Sequence, residues 1–243
     1  LGAQPPQYAH IPLILNPDGS KMSKRDVGAA VGEYKPAGFL SEAVVNFIAL
    51  LGWSSKSDDE IFTLTELIDR FSLEAINRAP ARFDLEKCKW VNQQHIAKMS
   101  TERFADLAKP FVEAAHLPIN DTYPAVIAAV KEKVRLLDEI PAAIDFLLTD
   151  DAPHDAEAVA KAKANPNSAH LAALADLLDG LSEWSAEKVK EAIGEVATAN
   201  GAKPGQLMFP VRVALSGRAH GPGLGEIFSM LGKERTVGRL RSF

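Results

Sequence analysis

Cysteine is almost absent: Cys88 stands alone among 243 residues. That excludes an internal disulfide and any thiolate cluster able to hold a metal. The six histidines, at 10, 95, 116, 154, 170 and 220, show no metal-ligand spacing either. No apolar run approaches the roughly 18 residues of a membrane span, and the first residues carry no signal-peptide pattern. Basic residues do not dominate. The net charge of −5 excludes a uniformly basic nucleic-acid coat. Tryptophan is scarce, and Trp53, Trp90 and Trp184 read as core or domain-junction residues rather than base-stacking platforms. Internal repeats and low-complexity tracts are lacking, and after residue 40 so is period-2 alternation, which excludes a large sheet. What remains is a reduced, cytoplasmic-type globular chain, 47% hydrophobic and 24% charged. Its length predicts one or two domains at about 150 residues each.

Gln4-Pro5-Pro6-Gln7 opens an extended, turn-rich stretch, and Tyr8 to Leu15 reads as a short strand. Asn16-Pro17-Asp18-Gly19 is a turn, because Pro17 presets φ and Gly19 tolerates positive φ. A loop expected to be mobile follows, as far as Gly28. From Ser41 the pattern becomes helical, with Val44, Phe47, Ile48 and Leu51 on one face and Gly52 at the end. Thr63-Leu64-Thr65-Glu66 is a capping box that should turn Leu64, Leu67, Ile68 and Phe71 inward. Asp84 and Thr101 are expected to cap the next two helices, the second with Phe104, Leu107, Ala108 and Phe111 facing inward. Val126, Val130, Val134 and Leu137 mark one further helix, and Pro141 suits the first turn of its successor. Breaks at 149–153 and 165–167 separate these from helices near 171–178, 185–199, 205–215, 222–231 and 232–240. The fold class is therefore mainly α: a small α/β entry region, then an all-helical array.

Charge is distributed unevenly. Residues 203–243 hold Lys203, Arg212, Arg218, Lys233, Arg235, Arg239 and Arg241 against only Glu226 and Glu234. A basic tail on an acidic body reads, on charge alone, either as a solvated helix surface or as the docking end for a polyanion partner.

A second concentration of charge carries more information. Lys21-Met22-Ser23-Lys24-Arg25 places three cations in a loop bounded by the Pro-Asp-Gly turn and Gly28. Lysines, an arginine and a hydroxyl suit phosphate oxygens, although the Walker A spacing is absent. As a motif, Lys-Met-Ser-Lys-Arg resembles the second signature of class I aminoacyl-tRNA synthetases. Its surroundings, from Tyr8 through Asn16-Pro17-Asp18-Gly19 to Arg25, are similar to bacterial-type glutamyl-tRNA synthetases. So are Ala43 to Trp53, Phe83 to Lys87, Val211 to Gly217, Gly221-Pro222-Gly223-Leu224 and Leu231 to Arg235. The likeness runs in register from about Tyr8 to about Leu240 and covers only the C-terminal half of such an enzyme. The His-Ile-Gly-His signature of the preceding nucleotide-binding domain is missing, since His10-Ile11 continues into Pro12-Leu13.

That resemblance implies a piece of a glutamate–tRNA ligase, catalytically incomplete alone. Residues 1–97 would form a stem-contact region carrying the loop, and 98–243 a helical anticodon-binding region with a break near 150. Lys24 would be catalytic, neutralising charge on the β- and γ-phosphates of ATP. Lys21, Met22, Ser23 and Arg25 would complete the ATP grip, with magnesium arriving on the nucleotide and no metal site in this chain. Arg212, Pro222, Gly223 and Leu224 would meet the anticodon. Lys133 falls where relatives that discriminate Glu from Gln tRNA carry arginine; with the register shifted by two, Arg135 is the reader. Lysine cannot form arginine's bidentate fork. Partners implied are tRNA(Glu), with tRNA(Gln) admitted as a second, together with ATP and L-glutamate; a monomer, without membrane attachment, is the family expectation. The rival reading is a non-catalytic tRNA-binding protein derived from a synthetase, against which the intact Lys-Met-Ser-Lys-Arg loop argues.

Overall fold

The computed structural model describes residues 2, 4–6, 8 and 10–243. The extended reading of Gln4–Gln7 and the start of the resemblance at Tyr8–Ala9 fall partly on Gln7 and Ala9, which lie outside the described residues. Helices dominate, as the missing alternation predicts. Among the described residues the only sheet is a parallel pair, β1 (Ile14–Leu15) and β2 (Ala81–Arg82), with Ile14 opposite Ala81 and Leu15 opposite Arg82. The strand is shorter than Tyr8–Leu15: only the two residues beyond Pro12 and Leu13 pair, and proline offers no N–H to a ladder.

The chain forms two compact units, residues 1–100 with 135–139, and residues 101–134 with 140–243. The first contains α1 (Ser41–Gly52), α2 (Leu64–Arg70) and α3 (Leu85–Lys98). α1 packs on α3, burying Val44, Phe47 and Leu51 on one side and Cys88, Val91 and Ile96 on the other. Buried Asn46 ties these helices to the intervening chain: its amide donates to the Glu60 carbonyl (3.0 Å), and its oxygen accepts the Phe62 N–H (2.9 Å) and faces His95 Nε2 (3.0 Å). Asp84 caps α3 by accepting the Lys87 N–H. Burial pushes the Cys88 thiol up to about 12, so it stays protonated and unreactive, as expected of a core cysteine.

Four inward assignments fail here. Ile48 is exposed, and on α2 only Leu67 is buried; Leu64, Ile68 and Phe71 face solvent. α2 spans just seven residues, so it offers one face to the Trp53–Phe62–Leu67 cluster. Trp53 is core as expected, whereas Trp90 is exposed. The capping box of α2 does form. Thr63 Oγ1 accepts the Glu66 N–H (3.2 Å), and Glu66 Oε2 accepts the Thr63 N–H (2.7 Å). Thr63→Ala is expected to lower stability by about 1 kcal/mol, read as a shift in the urea midpoint with an unchanged slope.

The helix expected over Val126–Leu137 is interrupted. α5 (Tyr123–Val130) ends in a turn closed by the Lys133 N–H on the Val130 carbonyl (2.8 Å), and residues 135–139 join the first unit. Buried Asn92 is the cause. Its oxygen accepts the Leu40 N–H (2.8 Å) and its amide donates to the Arg135 carbonyl (2.6 Å), so a buried polar group is satisfied by drawing in a distant strand of chain. The Leu137 N–H then reaches the Gly38 carbonyl (2.9 Å). Gly38 is required there: φ is +81°, and a Cβ would lie 2.4 Å from the Asp138 nitrogen.

The second unit holds α4 (Thr101–Ala114), α5, α6 (Ile140–Leu148), α7 (Ala156–Lys163), α8 (Leu171–Asp179), α9 (Ala186–Ala199), α10 (Pro204–Ser216) and α11 (Leu224–Ser242). On α4, Phe104 and Ala108 are buried, while Leu107 and Phe111 are half-buried. Pro141 takes the second position of α6. α8 packs on α11, and α10 packs on α7, α9 and α11. Leu174, Leu178, Ile193, Leu207 and Leu215 are fully buried between them, each contributing about 1.5–3 kcal/mol by leaving water. α11 breaks at Gly232 (φ 71°, ψ 177°), where two helices were expected to meet. Its start is Leu224 rather than Pro222, which leaves Pro222 in the preceding loop.

Candidate functional site

The loop after β1 is the first site. The backbone folds back at Asn16: the Gly19 N–H donates to the Asn16 carbonyl (2.9 Å), and the Asn16 N–H donates to the Ser20 carbonyl (2.8 Å). Leu15 bridges antiparallel to Lys21, and the Met22 N–H reaches the Ile14 carbonyl (3.0 Å). Ser23 to Asp26 forms a second turn, with the Asp26 N–H on the Ser23 carbonyl (3.1 Å). The loop therefore has a defined hydrogen-bonded shape in this structure. Its two turns place Lys21, Ser23, Lys24 and Arg25 on the surface. Among the described residues no carboxylate pairs with any of these three cations. A cleft of about 390 Å³ opens beside them, with Lys21, Met22, Ser23 and Lys24 on one wall and Leu13, Tyr34 and Phe83 among its apolar residues. Gly28 backs this wall: its φ is +83° and a Cβ would lie 2.4 Å from Phe83. Cationic heads at the rim of an apolar cleft suit a ligand with an anionic end and a flat or apolar body.

The second site lies at the α10–α11 corner. α10 ends at Gly217 in the left-handed conformation (φ 68°), and the chain loops back to α11. The half-buried Arg212 guanidinium spans this loop, with Nη1 donating to the Pro222 carbonyl (2.6 Å). Burial lowers its pKa from the ordinary arginine value, yet it remains charged at neutral pH. Glu226 accepts the Gly223 N–H (2.6 Å), so the first turn of α11 is capped by its own side chain. Arg212, Pro222, Gly223 and Leu224 are thus brought together, as their grouping in the sequence suggested. The role of Arg212 in holding the loop was not legible there.

Lys133 and Arg135 do not join that group. With the expected helix broken, Lys133 is exposed in the turn after α5. Arg135 belongs to the first unit, where its guanidinium pairs with Glu86 (2.8 Å) and its N–H with Glu139 (2.7 Å). A two-residue shift of register therefore separates a free lysine from an arginine already partnered.

The basic tail also differs from its sequence reading. Arg218 grips Asp145 with both guanidinium nitrogens (2.5 and 2.6 Å). Arg235 binds Asp150 (2.7 Å) and the Leu147 carbonyl (2.8 Å). Arg239 binds the Phe146 carbonyl (2.8 Å), Asp150 (3.0 Å) and the Leu215 carbonyl (2.5 Å). Arg241 pairs with Asp176 and Asp179, and Lys233 donates to the Leu181 carbonyl (2.9 Å). The reason lies in α6. Its last carbonyls have no intrahelical partners and carry the negative end of the helix dipole, and Arg235 and Arg239 supply donors to them. Asp150 is drawn in beside these arginines, whose hydrogen bonds, Arg235 first and Arg239 second, hold its carboxyl below the usual range. With Arg212 on the Pro222 carbonyl, six of the seven tail cations are therefore internal partners of the fold and not an open polyanion surface.

Among the described residues no helix is long and apolar enough to cross a membrane. The side chains that sequence reasoning missed are Asn16 and Asp26, which organise the cationic loop. The Asn-Pro-Asp-Gly turn was visible, but the reach of the Asn16 amide across it was not.

Comparison with known proteins completes the description. Residues 103–243 match the family described as "Anticodon binding domain", and residues 1–90 match "tRNA synthetases class I (E and Q), catalytic domain". The chain is 52% identical, over its whole length, to the glutamate–tRNA ligase of Akkermansia muciniphila, of which it covers 55%. It is 38% identical to that of Moorella thermoacetica, covering 97% of this chain and 50% of the relative. The crystal structure of a glutamate–tRNA ligase from Elizabethkingia meningosepticum, in complex with its amino acid, superimposes with a TM-score of 0.82 at 32% identity. That match covers 99% of this chain and 52% of the other. The chain thus spans about half the length of the relatives it matches.

Proposed function

We propose, from the premise that this chain belongs to the anticodon binding domain family, that it is the C-terminal portion of a glutamate–tRNA ligase and is catalytically incomplete alone. The whole protein would join glutamate to tRNA in two steps. A glutamate carboxylate oxygen attacks the α-phosphorus of ATP, and the bond to pyrophosphate breaks. The terminal adenosine hydroxyl of tRNA then attacks the glutamyl carbonyl and releases AMP. The observation that carries this reading is the set of unpaired cations, Lys21, Lys24 and Arg25, held on a hydrogen-bonded loop at the rim of a cleft. Displacement at phosphorus needs positioning and charge neutralisation more than covalent help. Lys24 neutralises the β- and γ-phosphates, while Lys21, Ser23 and Arg25 shape the grip and Met22 packs at the cleft wall. Magnesium enters as the counter-ion of ATP.

In this reading, residues 1–97 contact the acceptor stem and 98–243 read the anticodon. Arg212 has one nitrogen fixed on Pro222, which pre-orients its plane so that the remaining N–H groups and the flat face meet an unpaired base beside Pro222, Gly223 and Leu224. At the other candidate reader the exposed Lys133 supplies a point charge, and Arg135 is held by Glu86. The third anticodon base therefore meets no arginine fork from this pair, which favours tRNA(Gln) as a second partner. Titration of the chain with tRNA(Glu), and with the same tRNA carrying a Gln anticodon, tests both statements at two salt concentrations. Comparable affinity for the two is expected. The salt dependence should be shallow for a tail so rich in arginine, because Arg218, Arg235, Arg239 and Arg241 already pair with carboxylates. A preference of tenfold or more for the Glu anticodon would remove tRNA(Gln), and no binding to either would remove the anticodon-reading assignment.

A further inference from the structure

Two carboxylates lie among the cations of the loop, and neither pairs with them. Asp18 Oδ1 accepts the Ser20 N–H (2.8 Å) and hydroxyl (2.7 Å). Asp26 Oδ2 accepts the Ser23 N–H (2.7 Å) and the Asn16 amide (2.9 Å). The same Asn16 amide donates its other proton to Ser20 Oγ (3.1 Å). One side chain thus spans from the first turn to the second, and one carboxylate oxygen collects both halves of the loop. Asp26 is held below the usual carboxylate range, first by the Ser23 N–H and then by Asn16, so it is ionised throughout the neutral range. A carboxylate with open lone pairs would attract Lys24 or Arg25, its close sequence neighbours. Here the bonds to Asp26 come from neutral donors and, among the described residues, it forms no ion pair with Lys24 or Arg25, so the cations remain available to an anion.

We propose that Asn16 and Asp26 form a latch that holds the 20–26 loop in its anion-gripping shape, which makes both of them positioning residues for ATP. This rests on the reading of the loop as a phosphate grip. It also makes a prediction opposite in sign to simple electrostatics. Removing a negative charge beside a polyphosphate site should tighten ATP binding, whereas removing a latch should weaken it.

The test uses the intact ligase that contains this sequence, with Asp26→Ala, Asp26→Asn, Asn16→Ala, the Asn16→Ala/Asp26→Ala double variant and Lys24→Ala. ATP–pyrophosphate exchange gives KM for ATP and kcat separately, and amide hydrogen exchange at Ser23 reports the latch itself. Asp26→Ala is expected to raise KM for ATP about tenfold, the scale of a lost charge-assisted hydrogen bond, and to deprotect the Ser23 amide. Asp26→Asn should preserve most of both properties, because its amide oxygen accepts the same two donors. The double variant should be little worse than Asp26→Ala, since the two residues act as one unit. If Lys24→Ala cripples exchange while Asp26→Ala leaves KM unchanged or lowers it, the latch is overturned and the phosphate grip stands. Additive single effects also overturn it. If Lys24→Ala has no effect, the phosphate grip itself fails, and the positioning role falls with it.

Discussion

Replacing Lys24 by alanine in the intact ligase is expected to slow ATP–pyrophosphate exchange by about a hundredfold or more, the scale of losing one preorganised charge at a developing anion. Under the proposed assignment, affinity for tRNA should stay within about twofold, because that assignment gives the anticodon contacts to residues 98–243. The argument is structural. Lys24 is exposed, sits on a loop fixed by backbone and side-chain hydrogen bonds, and has no carboxylate partner among the described residues. A lysine so placed has no stabilising ion pair to lose, so its removal should leave the melting curve of the protein unchanged. A lysine also suits a site where charge moves during reaction, because its point charge needs no fixed fork. Lys24→Arg should therefore retain a measurable part of the rate. Exchange at the parent rate in Lys24→Ala would remove Lys24 from the chemistry.

Arg218→Ala should have the opposite signature, a large loss of stability with no direct effect on activation. Arg218 and Asp145 are largely buried, with 19% and 12% of their side chains exposed, and their bond is bidentate. Asp145 also accepts its neighbouring Phe146 N–H (2.6 Å), and the Arg218 guanidinium lies 5.8 Å from the Phe146 ring centre. Removing the arginine leaves a buried carboxylate without its counter-charge. Breaking such a pair from one side costs about 3–5 kcal/mol, much of it the stranded charge. In a chain of this size that corresponds to a fall in melting temperature of about 6–20 °C. Arg218→Lys should recover little, because one ammonium cannot occupy both carboxylate oxygens in the same plane. If Arg218→Ala instead melted normally and bound tRNA less tightly, Arg218 would be an RNA contact and the internal role assigned to it would be wrong.

These two residues mark the boundary of what local sequence could show. Both are cations, Lys24 in a short basic run and Arg218 in a sparsely basic tail, and composition treats them alike. The Lys-Met-Ser-Lys-Arg run was legible because its information is local: a turn of fixed chemistry precedes it, and the side chains that matter lie within five residues. Helix limits set by local chemistry were equally readable, as at the Thr63–Glu66 capping box, the Asp84 cap and the Gly232 break. Arg218, Arg235 and Arg239 were not, because their partners are 24 to 93 residues away.

Resemblance alone grouped Arg212 with Pro222, Gly223 and Leu224, whereas the amino-acid order was sufficient for the mainly helical class, most caps and breaks and the cationic run. Those features depend on side-chain spacing, glycine and proline stereochemistry and hydrogen bonds that close within a turn or two. The interruption of the helix after Val130, the solvent-facing side of α2, the partnering of Arg135 with Glu86 and the internal neutralisation of the basic tail were decided by packing. The helix break follows from buried Asn92, and the neutralisation of the tail from buried Asp145 and the last carbonyls of α6, each of which required a partner. The residue that supplied it was brought close only by the folded chain.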